Sequence, residues 1–350
     1  MTRMDDEGYS IAIDPSSVHY LGNQLFNLSN AKLNRDGSLL PFYHLFSALT
    51  QQGVVVNTVD LLMQGKVVAK THDYYSFGML RNCEQLKGRK DIRLKGFIIM
   101  EPPVVAPELY KALPNLTENF EWVYVHNTLG KGYSLRGVDQ TKLRKFYWPL
   151  PYKGALEPYW AKIDRLKRIV VINGNHKPKN YTGELYSKRI EAMAALARQN
   201  VVDLYGPGWD KWWARRSFWL PYWRNRGVLM SINRGPCTSK FETLSHYRFC
   251  LCFENMQMPG YVTEKLFDCL YAGTIPLYLG APDISEWVPV ETYIDCRKFV
   301  SWENMWDELN EMSVSQCNIM REAGRDFLSS ENFLKYYNSL QDMLCPARSK

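Results

Sequence analysis

The residues best placed to do chemistry lie in one short stretch. Phe253-Glu254-Asn255 is followed, after a gap of five residues, by Tyr261-Val262-Thr263-Glu264-Lys265. The apolar run Phe249–Phe253 reads as a strand, Gly260 permits a tight turn, and a helix is predicted over Thr263–Tyr271. On that reading Asn255, Tyr261, Glu264 and Lys265 converge at the mouth of a sheet, with Thr263 opening the helix. The free N–H groups of a first helical turn suit an anion. Lys265 is informative because a cation there opposes the helix dipole. A bound diphosphate would make it favourable; a lysine reaching out to solvent is the plainer alternative. Glu264 could accept hydrogen bonds from sugar or ribose hydroxyls, or balance Lys265.

A second candidate is Glu101, which follows the apolar run Phe97–Met100 and precedes Pro102 and Pro103. A carboxylate at the carboxyl end of a strand, in an apolar setting, would have its pKa raised towards the range of a general base. An ordinary strand-end glutamate is the competing reading. Metal chemistry finds no ligand set: there is no D-x-D pair and no H-E-x-x-H, and the six His (19, 44, 72, 126, 176, 246) show no ligand spacing. No metal and no other cofactor is expected.

The elements needed to position these groups are legible as alternating helices and strands. A helix is predicted over Pro41–Gln51, then strands over Val54–Val59, Lys95–Met100 and Glu121–Val125. Pro149–Arg168, rich in Pro, Tyr and charge, breaks the pattern. It restarts with a strand at Arg168–Ile172, a helix at Glu184–Arg198 and strands at Val201–Tyr205, Phe249–Phe253 and Ile275–Leu279. Gly206, Gly273 and Gly280 are read as left-handed terminators. Trp302–Leu344 reads as mostly helical. The organisation expected is an α/β domain over 1–155, a second over 165–330 and a helical tail over 331–350. The ligand would lie in a cleft between the carboxyl ends of the strands.

Bulk properties narrow the class. The 350 residues suffice for two domains, and 46% hydrophobic with 23% charged residues is globular composition. A net charge of +7 without long Lys/Arg blocks disfavours nucleic acid and admits an anionic ligand or membrane surface. The eight Cys include no C-x-x-C, and Cys250 and Cys252 share one side of a strand, so a reducing compartment is expected. No stretch has the length of a membrane span, and MTRMDDEGYS is not a signal peptide. Gly206–Trp223 concentrates Trp209, Trp212, Trp213, Phe218, Trp219, Tyr222 and Trp223 around Arg215 and Arg216. It reads either as an acceptor-stacking or membrane-surface patch, or as a segment packed across the domain junction.

Ser245–Gly280 closely resembles the donor-binding motif of the alpha-1,3-fucosyltransferases, family ten of the glycosyltransferases. The shared pattern is F-E-N, then Y-[VI]-T-E-K, then A-x-x-x-P-[LIV]-x-x-G from Ala272 through Pro276 to Gly280. Weaker matches extend outward to Val202–Gly206 and to Trp287–Phe299, so the resemblance covers roughly 165–330. It implies a GT-B-type α/β fold of two Rossmann-like domains facing across a cleft. It also implies inverting transfer of fucose from GDP-fucose to a hydroxyl of a glycan acceptor. Arg189 falls where that family places a diphosphate-binding arginine. Asn255, Tyr261, Thr263 and Lys265 would hold the donor with it, and Glu264 the ribose or sugar hydroxyls. Met100-Glu101-Pro102 resembles the family's M-E-S-P segment, whose glutamate is the base, with Pro102 in place of the Ser. The expected setting is a bacterial-type cytoplasmic enzyme of surface-polysaccharide or lipopolysaccharide synthesis, peripheral at the inner membrane face. Another GDP-linked deoxysugar, or a catalytically silent glycan-binding relative, remains an alternative.

Overall fold

The computed structural model describes residues 8–212 and 218–345. The chain divides into two compact units, residues 1–151 with 335–350 and residues 152–334. The first unit holds β1 (Tyr9–Asp14), β2 (Val55–Thr58), β3 (Thr71–Ser76), β4 (Ile92–Ile98), β5 (Trp122–Val125) and β6 (Leu143–Lys145). They form one parallel sheet in the order β2-β1-β3-β4-β5-β6. The second unit holds β7 (Leu166–Ile172), β8 (Val202–Tyr205), β9 (Tyr247–Phe253), β10 (Ile275–Leu279) and β11 (Ile294–Asp295). These are parallel in the order β11-β10-β9-β7-β8.

Successive strand residues point to opposite faces, and in a parallel sheet both faces need cover. In the first unit Ile11, Ile13, Tyr75 and Ile98 pack with Leu45 and Leu49 of helix Leu40–Gln51. Their neighbours Ala12, Tyr74, Phe97 and Ile99 pack on the other side with Leu62, Leu109, Leu113 and Leu116. Leu340, Met343 and Leu344 of helix Ser339–Leu344 join the first of these cores. The C-terminal stretch read as a separate tail is thus a covering layer of the first unit. In the second unit β10 is buried along its whole length, as are Leu266–Ala272 of helix Glu264–Ala272.

The strand order of the second unit fixes where a ligand can sit. From β7 the chain moves outward to β8, whereas from β9 it moves the opposite way to β10. The connections therefore part between β7 and β9, which opens a crevice at the carboxyl ends of those two strands. Phe253-Glu254-Asn255 stands at that end of β9.

Several expectations need revision. β1 and β3 are absent from the sequence reading, and β4 starts earlier and stops at Ile98. Gly273 does end its helix in the left-handed conformation, at φ 70°. Gly280 has no positive φ; a Cβ there would lie 2.6 Å from Cγ of Glu254 and 2.5 Å from the Tyr278 hydroxyl. Its role is to let two side chains approach. In the Trp-rich segment, Trp209 and Tyr222 are buried within the second unit and bonded to one another through the Trp209 carbonyl. Trp212, Phe218 and Trp223 are exposed. Trp213, Arg215 and Arg216 lie outside the described residues. No helix among the described residues is long and apolar enough to cross a membrane.

Candidate active site

A buried carboxylate organises the motif. Glu254 is fully buried one residue past β9, in space left by Gly280. Its Oε1 accepts the backbone N–H of Thr263 at 2.8 Å, and the Thr263 hydroxyl lies 2.8–3.0 Å from both its oxygens. Lys265 Nζ donates to Oε2 at 3.2 Å. Burial raises the pKa of Glu254; Lys265 pulls the other way and Glu264 adds to the rise. Thr263 is itself fully buried and turned onto this carboxylate, so it anchors the start of helix Glu264–Ala272. Its hydroxyl is not presented to a ligand. The sequence reading quoted Glu254 within F-E-N and gave it no role; nothing in residue type alone marks a glutamate as buried.

Lys265 is held at this helix start by three oxygens. Besides Glu254 it donates to Thr263 Oγ1 at 3.0 Å and lies 3.5 Å from Glu264 Oε1. A cation in the first turn is thus stabilised by two carboxylates, which supplies the explanation that the helix dipole denies it. Glu264 sits below the usual carboxylate range. Burial opposes that shift, and Lys265, Lys240 and the helix N–H outweigh it. Its Oε2 is buried with no hydrogen-bond partner among the described residues. A buried carboxylate oxygen without a partner calls for a donor.

Arg189, on helix Tyr186–Arg198, is 3% exposed. Its Nη2 donates to the carbonyls of Phe253 (2.6 Å) and Glu254 (2.9 Å), and Nη1 to Asn173 Oδ1 at 2.9 Å. Burial lowers its pKa. It thereby ties the end of β7 to the end of β9 across the crevice, with three donors already committed. Arg189, Glu264 and Lys265 line one cavity of about 190 Å³, together with Asn173, Lys240 and Asp268. Lys240 and Asp268 form an ion pair in its wall. The cavity is below the ~300–1,000 Å³ usual for a whole small ligand, so it suits part of one.

Asn255 and Tyr261 are brought to each other and not to that lining: Asn255 Nδ2 lies 3.4 Å from the Tyr261 hydroxyl, and Tyr261 is buried. The loop between them is pinned by Gln257 N–H to the Gly183 carbonyl and Gly260 N–H to Asp283. A larger groove of about 870 Å³ lies between helices Tyr186–Arg198 and Leu220–Ile232 and the stretch 296–303. It contains none of the motif carboxylates. The groups able to do chemistry favour the smaller cavity.

In the first unit Glu101 is half-buried three residues beyond β4, with Pro102 and Pro103 buried behind it. Its backbone is fixed from both sides: His126 Nε2 donates to the Met100 carbonyl at 2.7 Å, and the Tyr110 hydroxyl to the Glu101 carbonyl at 3.1 Å. Burial depresses His126 to about 3, so the imidazole is neutral with its proton on Nε2. Sequence reasoning weighed His126 only as a metal ligand. Parallel pairing of Ile98 with Tyr124, continued by two residues, sets Met100 beside His126. Asp14, at the end of β1, was also missed. It is buried, receives Tyr74 Oη at 2.6 Å and Asn82 Nδ2 at 3.1 Å, and is raised by burial to about 6. Among the described residues no cluster of His, Cys, Asp or Glu could hold a metal ion.

Comparison with known proteins converges on one family. Residues 167–321 match the family described as glycosyltransferase family 10 (fucosyltransferase), C-terminal part. An alpha-(1,3)-fucosyltransferase FucT of Helicobacter pylori is 39% identical over 69 residues, 20% of this chain and 14% of that protein. An alpha-(1,3)-fucosyltransferase C of Drosophila melanogaster is 37% identical over 123 residues, 35% of this chain and 24% of its own. The matched stretches are thus a small part of those relatives' lengths. A crystal structure of an alpha1,3-fucosyltransferase superposes with a TM-score of 0.56 at 15% identity, covering 99% of this chain and 93% of that one. Anabaena Alr3699/HepE, solved with UDP and glucose, gives 0.57 at 10% identity, covering 96% and 99%. These likenesses show the GT-B fold. Residues 167–321 are thus similar to the C-terminal part of glycosyltransferase family 10, the fucosyltransferases.

Proposed function

We propose that the chain is an inverting glycosyltransferase that moves fucose from GDP-fucose to a hydroxyl of a glycan acceptor. The observation that carries this reading is the cavity at the β7/β9 crevice, where Lys265 and the helix N-terminus face anionic ligand chemistry and Glu264 Oε2 lacks a donor. A solved alpha1,3-fucosyltransferase of this fold was crystallised with GDP, with a TM-score of 0.51. In the proposed reaction Glu101 takes the proton of the acceptor hydroxyl. The oxygen bonds to the anomeric carbon as the bond from that carbon to the diphosphate oxygen breaks, and GDP leaves with the electron pair. Lys265 and the helix N–H groups neutralise the departing charge, with the remaining N–H groups of Arg189 adding to it. Glu264 accepts from ribose or sugar hydroxyls, and Asn255 and Tyr261 hold the loop above. No divalent metal is required, because cations of the chain take its place. The acceptor is proposed to bind the first unit and to be a surface polysaccharide or lipopolysaccharide. The eight unbridged cysteines favour a reducing, cytoplasmic setting.

The test is a donor screen by mass spectrometry, run with EDTA present. Purified protein is offered a panel of nucleotide sugars with oligosaccharide acceptors. Fucosylated product from GDP-fucose alone supports the reading. Product from a different GDP-deoxysugar would change the donor, and turnover only after Mg2+ or Mn2+ is restored would defeat the metal-free mechanism.

A further inference from the structure

The cations of the proposed donor cavity are already shared. Lys265 stands between Glu254 and Glu264, at 3.2 and 3.5 Å. Three donors of Arg189 are taken by Phe253, Glu254 and Asn173. A diphosphate leaving with an electron pair asks for more positive charge than one shared lysine supplies. The same wall holds a second lysine that has no part in the proposed reaction.

Lys240 lines the cavity of about 190 Å³ with Glu264, Lys265 and Asp268. It opens the short helix Lys240–Ser245. Its Nζ donates to Asp268 Oδ2 at 2.5 Å, one helical turn beyond Glu264. The Asp268 side chain is 9% exposed and that of Lys240 30%, so the aspartate is sunk in the wall and the lysine is the more open partner. An ammonium group has three donors, and Asp268 accepts from one. A sunken ion pair adds little stability that an apolar pair of the same volume would not, so folding alone does not explain it. Leu244, Leu251 and Phe253 give the lining apolar surface, which strengthens any interaction with charge. Lys240 and Lys265 both help to draw Glu264 below the usual carboxylate range, so both positive charges are within electrostatic reach of one carboxylate. Two ammonium groups about a space too small for a nucleoside are the arrangement that two linked phosphates require.

We propose, resting on the reading of this cavity as a donor site, that Lys240 is a second phosphate-binding residue. Lys265 holds one phosphate of the nucleoside diphosphate and Lys240 holds the other. Asp268 keeps the Lys240 side chain in the wall in the absence of ligand.

The test is calorimetry on the full chain with GDP, GMP and guanosine. Lys240→Met should weaken GDP binding about 10- to 150-fold and leave guanosine unchanged. GMP has one phosphate, so only one of Lys240→Met and Lys265→Met should weaken its binding. Lys240→Met also leaves the Asp268 carboxylate without this cation, which can itself disturb the fold. Combining it with Asp268→Asn removes that charge, and the loss of GDP affinity should persist in the folded double variant. If affinity returns there, Lys240 serves only to neutralise Asp268 and the proposal is overturned. Unchanged GDP affinity in folded Lys240→Met overturns it too, as does an equal loss with guanosine or weakened GMP binding in both single variants. An unaltered protein that binds no GDP would overturn the donor reading as well.

Discussion

Removing the ammonium group of Lys265 should have two separable consequences. In Lys265→Ala the phosphate loses a charge-assisted hydrogen bond, worth about 1.5–3 kcal/mol or roughly 10- to 150-fold in GDP affinity. The same change deprives Glu254 of its cation, 3.2 Å away, while that carboxylate stays fully buried. Breaking a buried pair costs about 3–5 kcal/mol. Here Glu254 keeps the N–H and hydroxyl of Thr263, and the Lys265 side chain is 22% exposed. The loss should therefore be smaller, about 2 kcal/mol. Burial already raises the pKa of Glu254, and loss of the lysine raises it further. A carboxyl group raised in the folded state adds stability at low pH and loses it as pH rises through the folded value. The stability defect should thus be largest near neutrality and shrink on acidification, whereas Glu254→Gln should remove most of its pH dependence. Calorimetry with GDP and denaturant melts at several pH values read the two effects apart. An unchanged GDP affinity in a variant shown to be folded would leave Lys265 as the partner of Glu254 and nothing more. The phosphate reading of the cavity would then fail.

Three further outcomes are expected. Glu101→Gln should lower kcat by about 100- to 10,000-fold with little change in donor affinity. Glu108, Glu118 and Glu121 are exposed controls; loss of turnover in Asp14→Asn alone would move the base to the end of β1. His126, depressed by burial to about 3, adds stability that is complete above about pH 6.5 and drains away as pH falls towards its folded value, because the unfolded chain takes the proton first. Melts of wild type and His126→Asn should diverge below neutrality by up to ~1.4 kcal/mol per pH unit, and parallel curves would sink the idea. Gly280→Ala forces a methyl group against Glu254 and Tyr278, both held by hydrogen bonds. It should cost about 1–3 kcal/mol in urea melts, and GDP affinity should drop with the displaced Glu254; a neutral result would show that the site is soft.

How far the sequence speaks depends on which partners a residue needs. Helix Glu264–Ala272 and β10 were readable because apolar composition and Gly273 are local signals. β3, Thr71–Ser76, was not. Its His72 and Asp73 look unlike a core strand until Ser10 of β1 and Arg93 of β4 arrive to bond them. Arg189 was noticed from resemblance alone; that its guanidinium joins two strand ends is a fact of topology. Glu254, His126 and Asp14 share a cause for being overlooked or misjudged: burial by residues distant in sequence turns an ordinary polar side chain into an organising one. The Trp-rich segment admitted two readings because aromatic composition cannot say which rings a helix turns outward, and the structure turns some each way.

The place of helix Ser339–Leu344 bears on how the chain is made. Leu340, Met343 and Leu344 close a core whose other members, such as Ile11, Leu45 and Ile98, leave the ribosome long before them. The amino-terminal sheet must wait, one face covered only in part by helix Leu40–Gln51, while the whole of residues 152–334 is synthesised. That interval is when its apolar side chains are open to aggregation or to a chaperone. A nascent chain stalled before residue 339 should present a second unit complete in sequence beside a first unit still sensitive to protease.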